Sequence, residues 1–335
     1  MDADLHTLAV GRDAMACRFE VVFNAGEVAE ATELGIAALD LVEEVEERIT
    51  IHRQGGELAW LNATAADGWQ PLADDLCGLL ARAGMLWEQT AGAFDMATGA
   101  LSRCWGFLRR QGKTPSADDL AAALSCSGWG RVELDAPGRR LRFRQRGVEL
   151  NPGAIGKGWA LDRVADRLVG AGVRSLLVHG GSSSVLARGI QGPDLPGRRG
   201  WRVGLRHPLR PQARLATLTL VDRSLGTSGS GTQFFIDRGR RLGHILDPRS
   251  GLPAEGVLSA TVLAPSAADA DALATAAYVL GPAGLDRIAP AGGPVAAVVV
   301  VPARTAGGMR VITANLDPAD VEWAVAAGIE VVRAI

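Results

Sequence analysis

Apolar residues recur along the chain at two spacings. Leu34, Ala38, Leu41, Val42, Val45 and Ile49 follow a helical period, with glutamates on the opposite face. A second helix is predicted from Asp74 to Thr90, with Leu76, Leu79, Leu80, Ala83, Leu86 and Trp87 on one side. A third follows Lys157, gathers Leu161, Val164, Ala165 and Leu168, and stops near Gly170 or Gly172. Ser266, with Asp269 three residues on, marks the start of a fourth, as a capping box does. Strands are predicted at 17–23, 175–179, 201–206, 215–221, 257–264, 295–301 and 309–313. Residues 131–150 read as a hairpin turning at Pro137-Gly138. Loops are expected at 91–101 and 190–200. Residues 49–62 form a loop entering a short helix, and two further short helices are expected near Leu285 and from Pro318. There is no internal repeat.

With 335 residues, the chain can bury a large core as one domain or two lobes. At 47% hydrophobic and 21% charged it reads as globular, without long disordered tails. The net charge is −2 and no Lys/Arg cluster is interleaved with aromatics, which argues against a nucleic-acid partner. The start, MDADLHTLAVGRDA, lacks the basic and apolar regions of a signal peptide. That places the protein in the cytoplasm, or outside it if the start has been trimmed. The longest apolar run, 294–303, is too short for a transmembrane segment. Cys17, Cys77, Cys104 and Cys126 show no C-x-x-C spacing and read as reduced, mostly buried thiols.

Residues 151–162, NPGAIGKGWALD, join a strand-like run (140–150) to the third helix. Gly153, Gly156 and Gly158 surround Lys157. Glycine lets a backbone approach a ligand, and the first N–H groups of a helix have no partner within it. A lysine beside them makes a phosphate site. The stretch is not a P-loop, because Asn151 replaces the first glycine and Gly158 the Ser/Thr after lysine. The plainer reading is an ordinary strand-to-helix turn. Gly180 and Gly181, at the end of strand 175–179, allow close backbone approach to a ligand or simply a tight turn.

Asp271 and Thr275 lie four apart on a helix and share a face. A carboxylate beside a hydroxyl suits Mg²⁺, which takes oxygen ligands and keeps some waters. One surface aspartate and one buried threonine is the blander alternative. His244, Asp247 and Arg249 are packed into GHILDPRSG. A histidine there can serve as a general base, or it and the aspartate can fix a turn. Asp95, the only acid in 91–101, reads as a turn or capping residue. Glu43, Glu44, Glu46 and Glu47 read as a solvated helix face, not a metal site. Neither GGSSS nor GTSGSG fits G-x-S-x-G, and no G-x-G-x-x-G follows the first strand. A nucleophile elbow and a Rossmann nicotinamide site are therefore unsupported.

From about Met15 to Gly281 the order of these pieces resembles the FAD:protein FMN transferase family, also called ApbE-like. Met15-Ala16-Cys17 is similar to its Met-Gly-Thr. ITIHRQGGEL with the following AWLN resembles its F-S-x-Y-x-x-x-S-E-I and Leu-Asn. Ala93, Phe94 and Asp95 sit in its G-A-F-D. NPGAIGKGWALD resembles D-L-G-G-I-A-K-G-Y-A-x-D. Gly180-Gly181 matches the Gly-Gly after its central strand. Thr227-Ser228-Gly229 looks like its T-S-G, GHILDPRSGLP like H-I-I-D-P-R-T-G-x-P, and ADALATA like its closing motif. Each motif alone is weak; their shared order is specific.

The resemblance implies an α+β fold of mixed sheets and helices, one domain over 1–335 with two lobes around a FAD-binding cleft. It implies a reaction that moves FMN from FAD to a Ser or Thr hydroxyl of an acceptor protein and releases AMP. Carried over, Asp271, Thr275 and the backbone carbonyl of Ala154 would hold Mg²⁺. Met15, His52, Ala93, Phe94, Asp95, Asn151, Lys157, Gly180, Gly181, Thr227, Ser228 and Ile245 would bind FAD. His244 and Asp247 are the catalytic candidates, His244 taking the proton of the attacking hydroxyl. Three positions depart from the pattern. His52 replaces a tyrosine expected to stack on the flavin, Asn151 replaces an aspartate near the metal, and Ser182 replaces an asparagine. These departures keep two rivals in play: a Mg²⁺-dependent FAD pyrophosphatase giving FMN and AMP, and a flavin-binding protein without turnover.

Overall fold

The computed structural model describes residues 6–51, 53, 55–229, 231, 233–303, 308–324 and 329–333. Its largest sheet has nine strands: β1 (Thr7–Ala14), β2 (Cys17–Asn24), β3 (Leu176–Gly180), β4 (Ser184–Arg188), β5 (Ser224–Ser228), β6 (Ser259–Ala264), β7 (Ala296–Pro302), β8 (Met309–Ala314) and β9 (Ile329–Arg333). They lie side by side in chain order. Neighbours are antiparallel except β8 and β9, which are parallel. The helices that matter here are α1 (Ala31–Ile49), α2 (Glu57–Thr64), α3 (Asp74–Gln89), α4 (Gly99–Cys104), α5 (Ala117–Ser125), α6 (Gly156–Gly170) and α7 (Ala267–Leu280). Together they make a mixed α+β fold.

Both faces of the sheet are covered, and β7 shows how. Ala297 and Val299 join the core on the helical side, while Ala296, Val298 and Val300 join a second core on the other. A strand buried on both faces has no polar side, which is why this stretch reads as an unbroken apolar run. The helical side carries α1, α6 and α7. The other side is covered by an antiparallel sheet of residues 201–207, 210–220 and 321–323, whose Trp201, Leu205 and Leu218 pack with Val185, Leu225 and Leu263. Helix α1 buries the predicted stripe, including Ala38, Val42 and Val45. Helix α7 is buried nearly all round, because it touches β5 and β6 on one side and α6 on another.

Several elements differ from the sequence expectation. β1 is an exposed edge strand with no clean alternation, held by pairing with β2 rather than by a buried face. β4 is buried on consecutive residues, so it lacks a period of two. α5 buries only Ala123 fully, and its Ser116 N-cap accepting from the Asp119 N–H is its main local signal. α4 begins at Gly99, inside the expected loop. The strand expected through 150 stops at Phe143, before a turn in which Gly147 has φ of 86°.

Candidate functional site

Antiparallel neighbours alternate direction, so the β1–β2 turn, the β3–β4 turn and the end of β5 fall at one end of the large sheet. There they border a cleft of about 710 Å³. Met15 and Ala16 come from the first turn, Ser183 from the second, and Thr227 to Gly229 from the end of β5. Ala93 to Asp95, Phe107 to Arg110, Asn151, Gly153, Ala154, Lys157, His244 to Leu246 and Pro248 supply further lining, with Asp271 and Thr275 from α7.

Two glycines let α7 reach this place. A Cβ on Gly158 would sit 2.0 Å from the Ala267 carbonyl oxygen, and one on Gly226 would sit 2.4 Å from the Ala270 carbonyl. Any larger residue would push α7 off α6 or β5. The close approach lets the Gly158 N–H donate to Asp271 Oδ2 at 2.8 Å. The Ser184 hydroxyl donates to Oδ1 at 2.7 Å. Burial pushes the Asp271 carboxyl up from its ordinary value, while the charge of Lys157 and these two hydrogen bonds oppose it. One turn on, Thr275 Oγ1 donates to the Asp271 carbonyl at 3.2 Å and lies 3.0 Å from Ser228 Oγ. The N-terminus of α7 is capped from α6: Asp162 accepts from the N–H groups of Ala267 and Ala268 at 2.7 and 2.9 Å. Ser266 accepts from the Asp269 N–H, as the capping pattern predicted.

His244 faces the same cleft. Its Nδ1 lies 3.0 Å from the Gln233 carbonyl oxygen. A carbonyl only accepts, so Nδ1 carries the proton and Nε2 keeps its lone pair. Burial lowers the imidazole pKa, and the charge of Lys157 lowers it further, against the hydrogen bond to Gln233. The ring is therefore a neutral base at pH 7.

Of the residues singled out in the sequence, Met15, Ala93, Phe94, Asp95, Asn151, Ala154, Lys157, Thr227, Ser228, His244, Ile245, Asp271 and Thr275 meet around this cleft. His52 lies outside the described residues. Gly180 and Gly181 are not in the lining. They turn β3 into β4, where Gly181 has φ of 61° and its N–H donates to the Arg18 carbonyl. Asp247 is not in the lining either. Its carboxylate accepts from the backbone N–H and the guanidinium of Arg249, and so fixes the loop turn. Asp95 borders the cleft, yet its oxygens accept from the N–H groups of Ala97 and Trp129. Burial raises its pKa to about 6 against those hydrogen bonds. Asn151 caps a short turn by accepting from the Gly153 N–H.

Other participants escaped the sequence reading. Ser184 lay in a serine run without a matching motif. Asp162 closed the lysine motif without an assigned role. Glu46 departs from the solvated face expected of its cluster, since its Oε2 accepts from the Met15 N–H at 2.7 Å. Arg109 and Arg110 line the cleft from a loop with no periodic pattern. Among the described residues, no cluster of three His, Cys, Asp or Glu side chains could hold a metal ion. No helix among them is long and apolar enough to cross a membrane.

The fold and cleft define a mixed α+β protein with the buried carboxylate of Asp271, a lysine at a helix start and a neutral imidazole brought together at the end of a meandering sheet. A model of the ApbE family matches residues 15–299, and the chain belongs to that family. It is 34% identical over 278 residues to the FAD:protein FMN transferase of Treponema pallidum (strain Nichols), covering 79% of this chain and 76% of that one. It is 30% identical over 251 residues to a protein of the same name from Klebsiella pneumoniae (strain 342), covering 74% and 76%. Among solved structures, the apo form of the Pseudomonas stutzeri flavinyl transferase ApbE aligns with a TM-score of 0.79 at 30% identity, covering 94% of this chain and 97% of that one.

Proposed function

We propose that this protein moves FMN from FAD to a Ser or Thr hydroxyl of an acceptor protein and releases AMP. The observation that carries this reading is the His244 ring, neutral and with no partner for Nε2 among the described residues, in one cleft with Lys157 and Asp271. The relatives' shared name supplies the substrates; the cleft supplies groups suited to them.

In this reaction the acceptor oxygen bonds to the phosphorus on the flavin side of FAD. The bond from that phosphorus to the bridging oxygen breaks, and AMP leaves with the electron pair. The hydroxyl proton passes to His244 Nε2. Asp271, with its buried carboxylate, and Thr275, Ser228 and Ala154 border the same space. One carboxylate with neutral oxygens, completed by substrate phosphates, is a donor set that fits Mg²⁺. When bound, Mg²⁺ would neutralise phosphate charge. Lys157 adds a positive charge at the start of α6, where free N–H groups favour an anion. Ser184 and the Gly158 N–H hold the Asp271 carboxylate in place.

The test is incubation with FAD, Mg²⁺ and a library of Ser- and Thr-containing peptides, reading AMP, free FMN and peptide-bound flavin together. AMP matched by peptide-bound flavin supports transfer. AMP matched by free FMN alone makes the protein a pyrophosphatase, and bound FAD with no AMP makes it a binding protein.

A further inference from the structure

The ionisable side chains lining the cleft are Asp95, Arg109, Arg110, Lys157, His244 and Asp271. Asp95 is engaged by backbone N–H groups, His244 is neutral, and Lys157 and Asp271 oppose each other in charge. Arg109 and Arg110 remain. Both are exposed, and among the described residues no hydrogen bond or ion pair engages either guanidinium.

Their backbone, by contrast, is firmly held. Residues Phe107–Arg109 form a single 3-10 turn between Gly106 and Arg110, both left-handed. Arg110, at φ of 53°, adopts a left-handed conformation that strains a side-chain-bearing residue. The N–H groups of Gln111 and Lys113 close the loop onto the carbonyls of Gly106 and Trp105. The Phe107 ring stacks on Trp105, tilts on Phe235 and meets the His244 ring edge-on at 6.4 Å. Gln233 ties the two sides together, since its side chain donates to the Phe107 carbonyl and its own carbonyl accepts from His244. Strain kept in a fixed, cleft-lining loop is a mark of a functional position. The two guanidinium groups and the base thus hang from one frame.

We infer that Arg109 and Arg110 receive the phosphate of the departing AMP, an inference that rests on the flavin-transfer reading. The diphosphate of FAD carries two negative charges. As the acceptor oxygen bonds to the flavin-side phosphorus, the bridging oxygen keeps the electron pair of the broken bond, and the AMP phosphate gains a charge. Lys157 also offsets the charge of Asp271, so the unpaired arginines are the further cations available to the charge that develops. Guanidinium groups match phosphate with paired N–H donors.

The experiment measures equilibrium binding of AMP, FAD and riboflavin to the full chain and to Arg109→Gln, Arg110→Gln and the double variant. Hydrogen bonds to charged groups predict a loss of AMP affinity of roughly tenfold per arginine. FAD, with less charge on that phosphate, should lose less, and riboflavin should stay within about twofold. Added salt should narrow the difference between wild type and variants. Wild-type FAD binding with AMP affinity unchanged in the double variant overturns the inference and leaves flavin transfer standing. Equal losses for riboflavin and AMP overturn it too, by making the loop structural. No FAD binding to wild type removes the flavin reading itself.

Discussion

The backbone N–H of Gly158 donates to the Asp271 carboxylate across 113 residues of chain. This bond joins the start of α6, where Lys157 sits, to the first half of α7. It forms only because position 158 has no side chain to hold the Ala267 carbonyl away. The lysine motif and the closing motif are therefore two sides of one contact.

That contact sets the outcome of Asp271→Asn. The asparagine Oδ1 can accept from Gly158, and its amide can donate to Ser184, whose hydroxyl reverses. No buried polar atom is stranded and a buried charge is removed, so the melting temperature should stay at or above that of wild type without FAD. AMP release should fall by about 10²–10³-fold, as for loss of a group that organises charge at the reacting centre. A clear drop in melting temperature would show that the carboxylate is needed for folding.

A second prediction concerns the β1–β2 turn. Ala14 pairs with Cys17, leaving Met15 and Ala16 as the two central residues, with φ of 47° and 59°. Two-residue hairpins of this kind favour Asn-Gly. Ala16→Gly relieves roughly 1–2 kcal/mol of strain and costs roughly 0.4–1 kcal/mol through the freer unfolded chain. The expected net gain in urea unfolding is about 0.5 kcal/mol. A loss of stability would mean that the alanine methyl packs better than the turn is strained.

A third follows from Asp162, whose pKa burial raises from 3.8 to about 6, against the hydrogen bonds from Ala267 and Ala268. A raised folded pKa means that the native state binds the proton more tightly. Its contribution to stability is full below pH 4 and is lost as pH rises through 6. Two units correspond to about 3 kcal/mol. Relative to Asp162→Asn, which does not titrate, wild type should lose stability between pH 4 and 6 and stay level above that. Parallel curves for the two proteins would contradict this.

What the sequence showed and what it hid follow from range. Glycine junctions and helical spacing are local, so Lys157, Asp271, Thr275 and His244 could be singled out before any fold was known. The partners that hold them are remote. Ser184 lies 87 residues from Asp271 and Asp162 lies 105 from Ala267, and no local pattern encodes either pairing. Asp247 shared a motif with His244 and so looked functional, yet its nearest cation is Arg249, two residues away, and the pair closes a turn. No local pattern marks Arg109 and Arg110, because only the packed ring of Phe107 beneath them shows which way that loop faces.

The last prediction tests the base. His244 owes its lowered pKa first to burial and then to the charge of Lys157, while the Gln233 carbonyl works the other way by favouring the protonated ring. A lowered pKa keeps the imidazole neutral down through pH 6.5, so its capacity to take a proton persists there and is lost only as pH falls through the lower midpoint. The ring can be followed by NMR without any acceptor. In wild type the midpoint should lie below 6.5. In Lys157→Met, which keeps the length and removes the charge, it should rise but remain below 6.5, because burial is the larger cause. AMP release at limiting FAD should fall on the acid side with a midpoint at the NMR value in each protein. A wild-type midpoint at or above 6.5 would show that water reaches the ring. An unmoved midpoint in Lys157→Met would show that the lysine charge does not reach His244, and the acid limb of the reaction would then have to come from another group.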